Sequence, residues 1–99
     1  MVPARATMVI LDPADNVGVA LADIGVGEAG RSLDGRAVEA LEPIPQAHKI
    51  ALVDIAAGAE IVRFGVPVGV AKAPIAKGRL AHVHNVASRV LNNDEDNYE

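Results

Sequence analysis

No cysteine occurs anywhere in the 99 residues. That excludes disulfides, thiolate metal sites and a thiol nucleophile. Aromatic residues are almost as scarce, with one Phe, one Tyr and no Trp. Nucleic-acid binding calls for a basic stripe or an aromatic ladder, and neither is present. No apolar run approaches the ~20 residues of a membrane-spanning helix. The opening MVPARATMVIL has one Arg but lacks the apolar region and cleavage site of a secretory signal. The cytoplasm is therefore the expected compartment. Acids exceed bases, for a formal net charge of −4, and the excess lies in Asp94, Glu95, Asp96 and Glu99. The body of the chain up to Leu91 is neutral.

What is present is aliphatic. Half of the chain is apolar, at 51%, and Val, Ile and Ala dominate it. β-Branched residues suit pleated, half-buried surfaces. Nine glycines and six prolines are scattered throughout, which implies many short elements separated by turns. One small domain with one core is expected from this length.

The pattern predicts strands at Thr7–Leu11, Val17–Ala22, Lys49–Ile55, Glu60–Phe64, Pro67–Lys72 and Leu80–Val86. Arg36–Leu41 reads as strand or helix; six residues make a helix marginal without tertiary support, so strand is preferred. Ala87–Leu91 is ambiguous. Asp12 to Asn16 reads as a turn, because such side chains bond their own backbone. Asp34-Gly35 is a hairpin-type turn. Residues 1–6 are expected to form a flexible arm and residues 92–99 an acidic flexible tail, leaving 7–91 as the domain.

A repeat runs through the middle. Residues 20–29 read ALADIGVGEA and residues 51–60 read ALVDIAAGAE, with Ala, Leu, Asp, Ile and Gly coinciding after a shift of 31. Four turns share an Ile followed three residues later by Gly or Ala: Ile24/Gly27, Ile44/Ala47, Ile55/Gly58 and Ile75/Gly78. The physical reading is a strand that ends in a bend. The Ile plugs the core, and the small residue allows positive φ where the chain re-enters the sheet. Two copies are too few for a solenoid, so a compact all-β body with bent hairpins is expected. Asp23 and Asp54 precede the plugging Ile in both copies and read as turn caps.

Three histidines are the main candidates for chemistry. On a continuous strand His82 and His84 share a face, where they could share a metal or flank an anion. Two imidazoles are an incomplete metal site, and His48 is the candidate third group. Surface histidines of no function are the plain alternative. Lys49 and Arg63 could bind a carboxylate, although lone bases on strands are usually solvated. No nucleophile elbow, phosphate loop or dinucleotide fingerprint is present.

An ordered series of motifs resembles a known family. It runs through Asp15-Asn16-Val17, Val19-Ala20-Leu21, His48-Lys49-Ile50-Ala51-Leu52, Asp54-Ile55, Gly58, Ile61 to Gly65, Pro67-Val68-Gly69, Ile75-Ala76, Gly78 and His82 to Val86. The series is similar to the SAF domain of the altronate/galactarate dehydratases. Ala47 departs from it, standing where the family usually has Gly. The resemblance implies a β-clip, a bent double-stranded ribbon with short helical turns. It implies a small subunit that completes the active site of a separate large catalytic subunit. The implied reaction is β-elimination from a small hydroxy acid: water from a sugar acid or, as in the small subunit of (2R)-sulfolactate sulfo-lyase, bisulfite from sulfolactate. Fe(II) or another divalent metal is the implied cofactor, held mainly by the large subunit. On this basis His48 and His84 are the catalytic candidates, with His82 and His84 as metal ligands. Asn16, Asn85 and Lys49 are the substrate-binding candidates. A non-catalytic binding or oligomerisation module is the alternative, and a homo-oligomer is compatible with either.

Overall fold

The computed structural model describes residues 6–82 and 84–88. Val83, the tip of the expected arm (1–5), the end of the domain and the acidic tail (89–99) lie outside the described residues. The described chain is all strand and turn, with no helix and no short helical turns. The strands are β1 (Met8–Val9), β2 (Val17–Ala20), β3 (Ala29–Arg31), β4 (Ala37–Glu39), β5 (Lys49–Ala51), β6 (Glu60–Arg63), β7 (Val66–Ala71), β8 (Leu80–Ala81) and β9 (Val86–Ser88).

A four-stranded antiparallel sheet in the order β1-β2-β5-β8 runs through the middle. Its register sets Met8 opposite Ala20, Gly18 opposite Ile50, and Lys49 opposite both Val19 and Ala81. Alternation then sorts the side chains onto two faces. Met8, Ala20 and Ile50 pack with Ile24, Val38, Ala40 and Ile44, with Leu80 against them. On the other face Val17, Ala51 and Ala81 pack with Ile55, Ile61, Ala71 and Ile75. Each face is thus covered by one hairpin-built sheet: β3-β4 on the first, β6-β7-β9 on the second. The expected single core is two cores back to back.

The repeat is structural in detail. Ile24 and Ile44 exchange both backbone hydrogen bonds, and so do Ile55 and Ile75. All four plugging side chains are buried. The Asp23 carboxylate accepts from the Gln46 N–H at 2.8 Å, and the Asp54 carboxylate from the Lys77 N–H at 2.9 Å. Gly27 N–H donates to Ala40 and Gly58 N–H to Ala71, again 31 residues on. The four re-entry residues all have positive φ: Gly27 at 83°, Ala47 at 72°, Gly58 at 85° and Gly78 at 90°.

Ala47 is the strained member, because a Cβ costs roughly 1–2 kcal/mol in the left-handed region. Replacing Ala47 by Gly removes that cost and adds some backbone entropy to the unfolded chain. We expect a net stabilisation of about 0.5–1 kcal/mol, read as a rise in Tm of a few degrees. An unchanged or lower Tm counts against the strain assignment.

Strand ends differ from expectation at the bends. Val17–Ala22 and Lys49–Ile55 stop at Ala20 and Ala51, because Leu21 to Asp23 and Leu52 to Asp54 already lead into the Ile-centred detour. Leu80–Val86 is not one strand. The chain turns between His82 and Asn85, where the N–H groups of Asn85 and Val86 both donate to the His82 carbonyl, at 2.9 and 2.8 Å. Arg36–Leu41 is strand at Ala37–Glu39, as preferred. Strand β3 was not foreseen, since Ala29-Gly30-Arg31 carries no β-branched residue. No helix among the described residues is long and apolar enough to cross a membrane.

Candidate functional site

The register of the central sheet brings two of the three histidines together. Lys49 lies opposite Ala81, so the next antiparallel pair outward is His48 with His82. Their ring centroids are 4.5 Å apart and the planes are tilted by 49°. By alternation this pair lies on the face of Ile50 and Leu80, just beyond the end of the β5–β8 ladder. His48 is half-buried and His82 exposed, so the pair opens to solvent.

His48 is held by a relay of backbone groups. The Asp23 carboxylate fixes the Gln46 N–H, and the Gln46 carbonyl lies 3.1 Å from His48 Nδ1. A ring nitrogen facing a carbonyl carries the proton, which leaves the lone pair on Nε2. Nε2 is therefore the atom able to accept a proton or ligate. The His48 backbone completes the bend, with its N–H donating to Pro45 at 3.0 Å and its carbonyl accepting from Ala20 at 2.8 Å. Gln46 escaped the sequence reading because its side chain plays no part; only its backbone does. Asp23 was legible as a cap but not as a support for His48.

His82 is positioned by Asn85. The Asn85 Oδ1 accepts from the His82 N–H and its Nδ2 donates to the Leu80 carbonyl, both at 2.8 Å. One amide therefore closes the turn on both sides. This turn is why alternation failed here: His82 and His84 do not sit on one continuous strand. His84 is exposed and lines a shallow recess with Glu42, Pro74, Arg79 and Asn85. Glu42 is committed within that recess, accepting from the Leu80 N–H at 2.9 Å.

Asn16, the other amide among the candidates, is spent on the backbone of β6. Its Nδ2 donates to the Glu60 carbonyl and its Oδ1 accepts from the Val62 N–H, each at 2.8 Å. The side chain extends the pairing of the chain with β6 as an extra peptide group would. Asn16→Ala leaves both backbone groups without these partners. The expected loss is about 1–3 kcal/mol, read by urea unfolding, and a loss below the error of that measurement contradicts the role.

Beside Asn16, Asp15 is a buried carboxylate with a full set of donors. It accepts from the N–H groups of Leu11, Asp12 and Gly65, at 3.1, 3.2 and 2.7 Å. It ties the loop before β2 to the β6–β7 turn, as the turn reading of this stretch implied.

Lys49 alternates with His48 and faces the second core with Val19 and Ala81. Burial, and secondarily the charge of Arg63, push its amine below the usual lysine value. Among the described residues no group of three or more His, Cys, Asp or Glu gathers to hold a metal. The His48–His82 pair alone falls short of the three protein ligands that a catalytic metal takes.

Comparison with known proteins agrees with this geometry. Residues 6–89 match the model of the altronate/galactarate dehydratase SAF domain. The chain is 40% identical over 85 residues to altronate dehydratase of Escherichia coli, covering 86% of this chain and 17% of that enzyme. It is 44% identical over 64 residues to galactarate dehydratase (L-threo-forming) of the same organism, covering 65% of this chain and 12% of that enzyme. Against the (2R)-sulfolactate sulfo-lyase subunit alpha of Chromohalobacter salexigens it is 34% identical over 89 residues, covering 82% of this chain and 93% of that subunit. The chain thus spans less than a fifth of the dehydratases and most of the sulfo-lyase subunit. It belongs to the altronate/galactarate dehydratase SAF-domain family.

Proposed function

We propose that this chain is the small component of a hydroxy-acid lyase, of the altronate/galactarate dehydratase type, and completes the active site of a larger catalytic chain. The observation that carries the reading is the His48–His82 pair, held at an open edge of the sheet with Nε2 of His48 left unprotonated by its Nδ1 contact. β-Elimination removes a proton from the carbon beside a carboxylate while the β-substituent leaves. A positioned imidazole supplies either proton movement, a contribution of about 10²–10⁴-fold.

On this reading His48 moves a proton through Nε2 at the reacting centre, and His82 sets the environment of that ring. Asn85 positions His82 through the turn. The donor set in this chain does not fit a metal centre by itself. A divalent metal, iron by family likeness, is accordingly assigned to the larger chain, where it supplies Lewis-acid stabilisation of the carboxylate. The reaction is placed in the cytoplasm.

The second reading is a sulfo-lyase subunit that expels bisulfite from sulfolactate. It is favoured by one observation, the match to 93% of the length of the sulfo-lyase subunit alpha. Reconstitution with a dehydratase-type large chain, assayed on altronate, galactarate and sulfolactate with and without iron, tests both. The expected result is turnover only in the mixture. A large chain that works equally well alone would overturn the proposal.

A further inference from the structure

The opposite face of the same sheet holds two cations that the imidazole pair does not use. Lys49 is half-buried in the middle of the sheet beside the second core. Arg63 ends β6 and is half-buried too. Its Nε is enclosed and has no hydrogen-bond acceptor. Such an orphaned donor costs about 1–3 kcal/mol, and more when charged. The guanidinium carbon lies 5.2 Å from the centroid of the Phe64 ring.

The backbone that presents that ring is strained. Phe64 has a φ of 56°, rare for a residue with a bulky side chain. The buried Asp15 carboxylate holds the turn by accepting from the Gly65 N–H. Strain held in place by a buried carboxylate is a feature of sites more often than of plain scaffolding. The two cations also repel. Arg63 acts on Lys49 to disfavour its charge, on top of burial, and no acid among the described residues enters that balance. A bound anion relieves both the repulsion and the empty Nε.

We propose that Lys49 and Arg63 form a carboxylate-binding subsite, with Phe64 as the wall that orients the guanidinium. Its ligand is one carboxylate of a small hydroxy acid. That identification of the ligand rests on the lyase reading; the anion site itself does not.

The test is a solution NMR titration of the full chain, following the Arg63 Nε–Hε resonance and the amides of residues 49 and 63–65. The probes are sodium galactarate and, at matched ionic strength, sodium chloride. Galactarate is expected to give saturable shifts that chloride does not. Arg63→Gln and Lys49→Met should each weaken the apparent affinity at least tenfold while the remaining spectrum stays dispersed. Arg63→Lys keeps the charge and loses the fork, and should also bind less tightly. Shifts no larger than those from chloride, or equal saturation in the folded variants, overturn the subsite. Because no large chain is present, the two claims separate. Saturation without reconstituted turnover leaves the subsite standing and removes the lyase reading; turnover without saturation does the reverse.

Discussion

Ile55→Asp is expected to unfold the chain. Ile55 is 4% exposed and packs with Val17, Ile61, Ala71 and Ile75 in the second core. Its backbone exchanges both hydrogen bonds with Ile75, so the bend gives the side chain no route out to water. The substitution loses roughly 1.5–3 kcal/mol of apolar burial and puts a carboxylate where it finds no cation. An unpaired charge in such a place costs several kcal/mol more, or forces the group to stay protonated. A small domain has only about 5–15 kcal/mol in total. Circular dichroism with a thermal ramp reads the outcome. A cooperative transition near the parent Tm would show that Ile55 is not a plug. Ile24, Ile44 and Ile75 should behave alike, since each is 2% exposed or less.

Gly78→Ala is the second large loss, and its contrast with Gly58→Ala makes it informative. Both residues have positive φ, at 90° and 85°. A Cβ at Gly58 meets nothing within 4 Å, whereas at Gly78 it collides with the Glu39 carbonyl oxygen and comes within 3.0 Å of Leu41 Cγ. Gly58→Ala therefore costs only left-handed strain, about 1–2 kcal/mol. Gly78→Ala adds overpacking, typically 1–3 kcal/mol. It also pushes on the hydrogen bonds from Leu41 N–H to Gly78 and from Gly78 N–H to Ala51. Urea unfolding should place Gly78→Ala at least 1 kcal/mol below Gly58→Ala, on the overpacking range just given. Equal losses would mean that the backbone conformation alone matters. The equivalent position in the other copy carries Ala47, which is exposed.

The bends were legible because their chemistry is local. An Asp cap, an Ile plug and a small residue at positive φ all fall within five residues, and the copy 31 residues later repeats them. The strand ends were less so, since where a strand leaves a sheet depends on what its bend pairs with. His82 and His84 show the limit of alternation. A run of Leu, Ala, His and Val looks like one strand until the Asn85 amide closes a turn across it. The neighbour His82 gains instead is His48, 34 residues earlier, through a register set by β2, β5 and β8 together. Asn16 and Asn85 were singled out for a substrate, but their amides are taken up by backbone groups, which residue type does not reveal. The Lys49–Arg63 juxtaposition depends on β6 folding over one face of the sheet, and spacing in the chain carries no trace of it.

The central claim is that the His48–His82 pair is what this chain brings to a shared reacting centre. The most direct test is kcat of the reconstituted lyase carrying His48→Ala, His82→Ala and both. The account predicts a loss of about 10²-fold or more for His48→Ala, and a double variant little worse than His48→Ala alone because the rings act as a unit. A double variant that turns over at the parent rate would contradict it.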